Sequence, residues 1–149
     1  MVNIHKKTYS QKPSDVTRRW ILVDASTAPL GRVATTISKY LIGKYKPTFT
    51  SHTDGGDYVV VINAAQVVVT GEKETDKRYY HHSGYPGSLR DESLSELRTK
   101  YPERIVIEAV KGMIPKNKLS ADRLGRLRVF AGNEHTHGPQ TPEKVEVTF

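Results

Sequence analysis

The sequence predicts an α/β fold: three layers, α/β/α, around a small, mainly parallel sheet of about four strands, with long basic loops. Three observations carry this expectation. Short apolar runs rich in β-branched residues alternate with stretches whose apolar residues recur every three or four positions. The runs are apolar throughout rather than alternating, as in strands buried on both faces. The stretches between them are long enough for crossover helices on both faces of a sheet. With 149 residues, the chain is expected to form a single domain, residues 1–19 serving as a basic arm and 138–149 as a tail.

Trp20-Ile21-Leu22-Val23 reads as a buried strand ending at Asp24. Ser26 or Thr27 is then expected to cap a helix with Pro29 near its first turn. Leu30, Val33, Ala34, Ile37 and Leu41 keep helical spacing, and Gly43 stops the helix. Residues 44–57 are a hydroxyl-rich loop with a Gly-Gly turn. Tyr58-Val59-Val60-Val61-Ile62 is a central strand, and Val67-Val68-Val69-Thr70 reads as another. Residues 71–90 read as a long polar loop. Leu94, Leu97 and Tyr101 mark a helix, which Pro102 ends while opening the next one. Ile105, Val106, Ala109, Val110 and Met113 give that helix an apolar stripe, and Pro115 closes it. A short basic helix spans Leu119 to Leu127, with Leu124 and Leu127 pointing inward and Arg123 and Arg126 sharing another face. A strand at Arg128-Val129-Phe130 follows, then loop and tail to Val145-Glu146-Val147.

Charge narrows the class of partner. The chain has 23 Lys and Arg against 16 Asp and Glu, a formal charge of +7, and a pI of about 9.6. Such a balance is the footprint of a polyanion binder. Cysteine is absent, which excludes disulfides, thiolate metal sites and cysteine nucleophiles. No secretory signal or membrane span is expected, because no apolar run approaches the required length.

The cations are gathered in places. From Lys111 to Arg128, the six cations Lys111, Lys116, Lys118, Arg123, Arg126 and Arg128 face Asp122 alone. This segment is a candidate for phosphate contact. A second cluster, Lys73, Lys77, Arg78, Tyr79, Tyr80, His81, His82 and Tyr85, mixes charge with rings that can stack on unpaired bases. Tyrosines packing the edge of the core are the plainer alternative. His135 and His137 stand in a third, Gly-bounded cluster. Neutral imidazoles make good sugar and base contacts. With His52, His81 or His82 they could also be arranged around a metal, but no metal-binding spacing accompanies them, and no metal or cofactor is expected. The cations are expected to lie together on one side of the fold.

Enzyme signatures are missing: there is no Gly-x-Gly-x-x-Gly, no P-loop and no Gly-x-Ser-x-Gly elbow. A histidine-dependent nuclease would need His81, His82 or His135 beside Asp54 or Asp57. A free RNA chaperone is a further alternative.

Three segments carry a family resemblance: His52-Thr53-Asp54-Gly55-Gly56-Asp57-Tyr58, Tyr79-Tyr80-His81-His82-Ser83-Gly84-Tyr85-Pro86-Gly87 and Val110-Lys111-Gly112-Met113-Ile114-Pro115-Lys116-Asn117-Lys118-Leu119. Val129-Phe130-Ala131-Gly132-Asn133-Glu134-His135-Thr136-His137 continues the pattern. In order and spacing the chain resembles the bacterial-type large-subunit ribosomal protein thirteen family, from about Lys7 to Pro142. Ser120-Ala121-Asp122 departs from it, standing where the family usually has a Gly-Arg step. The resemblance implies a parallel four-stranded sheet in a three-layer fold and no catalysis. It implies binding to large-subunit ribosomal RNA beside neighbouring ribosomal proteins, and an early role in subunit assembly. No membrane or small-molecule substrate is implied. The implied place is the ribosome, in the cytoplasm or in an organelle's matrix or stroma. By position, the implied RNA contacts are Lys44, Lys46 and His52, the Lys73 to Tyr85 run, and Lys111 to Arg128.

Overall fold

A computed structural model describes residues 9–147. Lys6 and Lys7 of the expected arm lie outside the described residues. Strand β1 is Trp20–Asp24, helix α1 Leu30–Ile42 and strand β2 Tyr58–Ile62. Helix α2 (Lys73–Asp76) is a single turn leading to strands β3 (Arg78–His82) and β4 (Leu89–Ser93). Helices α3 (Leu94–Lys100), α4 (Pro102–Met113) and α5 (Ser120–Gly125) precede strands β5 (Leu127–Val129) and β6 (Glu143–Val145).

Four strands form a wholly parallel sheet in the order β5-β2-β1-β6, which is the α/β class and strand number that the sequence predicts. Both crossovers, β1 to β2 and β2 to β5, step the same way across this order. Right-handed connections therefore put α1 and α4 on one face, where they pack against each other. Ile21, Val23, Val59, Val61 and Leu127 point to that face and join Val33, Ile37, Leu41, Ile105, Val106 and Val110 in one core. Each fully buried Leu or Ile there contributes about 1.5–3 kcal/mol. The return from β5 to β6 runs the other way and covers the second face with residues 130–142. This layer is irregular chain with one 3-10 turn at Gly138–Gln140. Its glycines and prolines break helical periodicity, and it covers with rings instead. Trp20 stacks on Tyr58 at 4.5 Å, and His137 sits 4.9 Å from Trp20 and 5.8 Å from Phe130.

Local chemistry sets most boundaries. Gly43 ends α1 with φ at 78° while its N–H reaches the carbonyls of Lys39 and Tyr40. Ser93 and Glu96 form a reciprocal capping box on α3. The expected cap on α1 is different: Pro29 holds the cap position without a side-chain bond. Ser26 bonds Asp24 through both N–H and hydroxyl, and Thr27 bonds the Asp24 carbonyl, closing a turn instead.

Three further expectations are corrected. Val67–Thr70 is no sheet strand, because both edges of β2 are already taken by β1 and β5; it forms an isolated bridge from Val68 to Pro29, and Val67 packs in the core with its carbonyl accepting from Arg98. The polar 71–90 loop holds α2, β3 and the turn into β4, an antiparallel ribbon with Tyr80 opposite Asp91 and His81 opposite Arg90. Part of the expected tail is strand β6.

Candidate nucleic-acid interface

Most residues of the β3–β4 ribbon are exposed. Its residues alternate sides, so Arg78, Tyr80 and His82 share one side with Asp91 and Leu89, and Tyr79 and His81 share the other with Glu92 and Arg90. Arg78 pairs with Asp91 on its side. Tyr80 is 67% exposed, Tyr85 at the tip 76%. A tip of six exposed or half-exposed residues with Gly84 and Gly87 at positive φ turns the chain. Rings of this size left in water lose the stabilisation that burial would provide, so they are available to a partner.

Tyr79 differs from its neighbours. Its ring packs on the core edge and its hydroxyl is buried without a partner, while the Lys77 ammonium lies 5.2 Å from the ring centre. Burial pushes its phenol up from the ordinary value. It is a core-edge residue, the plainer of the two readings the sequence allowed.

The fold brings Lys111 to the ribbon. A hollow is lined by Arg78, Tyr79, Tyr80, His81, Arg104, Glu108 and Lys111, with Lys111 paired to Glu108 at 3.4 Å, so the end of α4 and one strand of the ribbon share it. Lys73 and Lys77 border the adjoining hollow with Gly112 and Met113. Arg104 lines the first hollow and Arg90 stands opposite His81 on the ribbon; neither is legible as a site residue in the sequence, since Arg104 sits in a stretch dominated by acids and Arg90 in a presumed loop. Lys44, His52, Lys116, Lys118 and Arg128 are exposed elsewhere, Arg128 in register with Val60 at the second sheet face. His135 and His137 are half-buried; the His135 Nδ1 accepts the His137 N–H at 3.3 Å, and both rings pack on Phe130.

Three predicted contacts are corrected. Arg123 and Arg126 are only 2% and 7% exposed. Their face of α5 turns inward because it meets a carboxylate there, Asp54, and Leu124 is left only partly buried. Arg126 gives both terminal nitrogens to Asp54 and one to the Leu41 carbonyl at the end of α1, a charge placed where the helix dipole is negative. Lys46 is held inside by Asp57 at 2.7 Å and by the carbonyls of Thr17 and Gly55, each at 2.8 Å. The single cationic face expected from the sequence is therefore not formed with Arg126 in it.

The same two carboxylates were the ones a nuclease would need. Asp57 is fully engaged: besides Lys46 it accepts from the Arg19 backbone N–H at 2.8 Å and from the Tyr45 hydroxyl. Burial and the bond to Asp57 push the Tyr45 phenol up to about 12, against the opposing pull of Arg19. Asp24 is similarly turned to structure, bonding Ser26 and the Asn63 amide. Among the described residues no three His, Asp or Glu side chains gather as metal ligands would. No helix among them is long and apolar enough to cross a membrane.

A core that consumes its carboxylates internally and extends cations and rings outward on a ribbon defines a structural protein that presents a surface, rather than one that encloses a reactant. The family model for ribosomal protein L13 matches residues 18–136. The large ribosomal subunit protein uL13 of Halorhodospira halophila is 50% identical over 141 residues, covering 95% of this chain and 99% of its own. That of Clostridioides difficile is 53% identical over 137 residues, covering 92% and 96%. The chain belongs to the ribosomal protein L13 family, a family of structural ribosomal proteins and not of enzymes.

Proposed function

We propose that this chain, as a single domain, is a structural constituent of the large ribosomal subunit that binds large-subunit ribosomal RNA and supports early assembly of the subunit. The observation that carries this reading is the ribbon: Lys77, Arg78, Tyr80, His81 and His82 exposed together, with Lys111 drawn alongside. Lysine and arginine neutralise phosphates, and tyrosine and histidine fix local shape by stacking and by bonds to ribose. Lys44, His52, Lys73, Lys116, Lys118 and Arg128 add outlying phosphate contacts. Neighbouring ribosomal proteins cover part of the remaining surface, and the protein works on the ribosome, in the cytoplasm or its organellar equivalent.

Affinity for fragments of large-subunit ribosomal RNA, titrated across salt, tests this. Binding should fall steeply as salt rises, and Lys77→Gln and Lys116→Glu should each reduce the slope of log K against log salt by about 0.7–0.9. Affinity indifferent to salt would overturn the proposal. In sucrose gradients of cell extract the protein should travel with large subunits.

A further inference from the structure

The surroundings of Asp54 hold more positive charge than they neutralise. Two carboxylates, Asp54 and Asp57, face four cations: Arg18, Lys46, Arg123 and Arg126. Lys46 and Asp57 satisfy each other at 2.7 Å. Arg126 occupies both oxygens of Asp54. Arg18 and Arg123 are left at 3.6 Å from that same carboxylate, outside hydrogen-bonding reach. Arg123 is buried, its Nε bonds nothing, and this distant contact is its one ion pair among the described residues. Two guanidinium charges therefore lack a counter-charge of their own in a partly dry setting, where charge is costly.

Arg18 is the member of this group that reaches solvent, its side chain 31% exposed. It is also held still. One terminal nitrogen donates to the Gly56 carbonyl at 3.0 Å and the other to the Asp54 carbonyl at 3.2 Å. Each terminal nitrogen keeps one further N–H, so this fixed guanidinium at the rim of an over-cationic cluster still has donors to offer an anion such as a phosphate.

We propose that Arg18 marks a phosphate-docking site, where a phosphate group of the RNA backbone supplies the negative charge that Asp54 cannot. The inference rests on the RNA-binding reading and deepens it, placing a contact on the Arg18 side of the Asp54 cluster, away from the ribbon residues that carry that reading. Arg123 acts from behind as a buried positive charge and does not touch the ligand.

The test uses the full chain, Arg18→Gln and Arg18→Lys. Thermal unfolding is measured in sodium phosphate and in sodium chloride at equal ionic strength, and binding to large-subunit ribosomal RNA fragments is measured across salt. The wild type should melt higher in phosphate than in chloride, with the difference abolished in Arg18→Gln and reduced in Arg18→Lys. Arg18→Gln should also lower the salt slope of RNA binding by about 0.7–0.9. An equal phosphate response and an equal salt slope in wild type and Arg18→Gln would overturn the proposal. A phosphate response that depends on Arg18, with RNA binding unchanged, would overturn it in favour of a free-phosphate site. If Lys77→Gln weakens RNA binding while Arg18→Gln does not, the site falls and the RNA-binding reading stands. If the wild type itself does not bind the RNA, both fall.

Discussion

Arg126 and Asp54, 72 positions apart, join both guanidinium ends to one carboxylate beneath the end of α1. The pair ties the loop before β2 to the chain entering β5, while the same arginine closes α1 through the Leu41 carbonyl at 3.2 Å. Without Arg126 the Asp54 carboxylate keeps Arg18 and Arg123 at 3.6 Å but loses its side-chain hydrogen bonds. Arg126→Ala is therefore expected to cost about 1.5–3 kcal/mol, read from the urea unfolding midpoint. A loss below about 1 kcal/mol, the range of a surface pair, would show the contact to be peripheral.

Gly56 makes that arrangement possible by having no side chain. A Cβ there would lie 1.8 Å from the Leu41 carbonyl oxygen. Gly56→Ala should destabilise by at least about 1–3 kcal/mol in thermal or urea unfolding. Gly125→Ala, where a Cβ meets nothing within 4 Å, is the control; in α5 it should be neutral or stabilise by up to about 0.5–1 kcal/mol.

The two carboxylate clusters give opposite limbs of the pH profile. Burial alone pushes the Asp54 carboxyl up, but Arg126, Arg18 and Arg123 more than offset it and hold it below its ordinary 3.8. A depressed folded value stabilises the fold above pH 3.8, and that contribution is lost as pH falls toward the folded value. Asp54→Asn should be less stable near neutrality and show a shallower acid limb by circular dichroism.

Tyr45 behaves in the reverse sense. Its folded value of about 12 stands above the ordinary 10. The protonated phenol stabilises the fold fully below pH 10, and this is lost as pH rises from 10 to about 12. Tyr45→Phe should flatten the alkaline limb; an unchanged limb would remove Tyr45 as its source.

The ribbon rings should matter for RNA and not for folding. Tyr80→Ala and Tyr85→Ala are each expected to weaken binding to large-subunit ribosomal RNA fragments by about 1–3 kcal/mol if a base stacks there, with the melting temperature nearly unchanged because both rings are exposed.

What the sequence made legible follows from what each segment buries. β1, α1, β2 and α4 could be read because their apolar side chains repeat with the period of the element that buries them. The ribbon could not, since Arg78-Tyr79-Tyr80-His81-His82 turns almost nothing toward the core and so has no pattern to read. Val67–Thr70 has strand composition, but β2, the strand it follows, already has β5 and β1 on its two edges. Arg123 and Arg126 were misplaced for a related reason: helical spacing identifies a shared face, yet the partner that draws it inward, Asp54, is set by the tertiary fold. The aromatic cover of Trp20, Tyr58, Phe130 and His137 likewise depends on the β1–β2 register and the return from β5. Lys77, Arg78, Tyr80 and Lys111, by contrast, are exposed where charge and ring content suggested.

The first strand of the sheet waits longest for its second neighbour. β1 can pair with β2 soon after both are synthesised, but its other edge is met only by β6, at Glu143 to Val145. A nascent or stalled polypeptide thus carries an unsealed row of backbone donors and acceptors on β1 until β6 has been made, and such a row is a template for another chain. Quality of manufacture, in this architecture, hangs on the final hydrogen bonds to form.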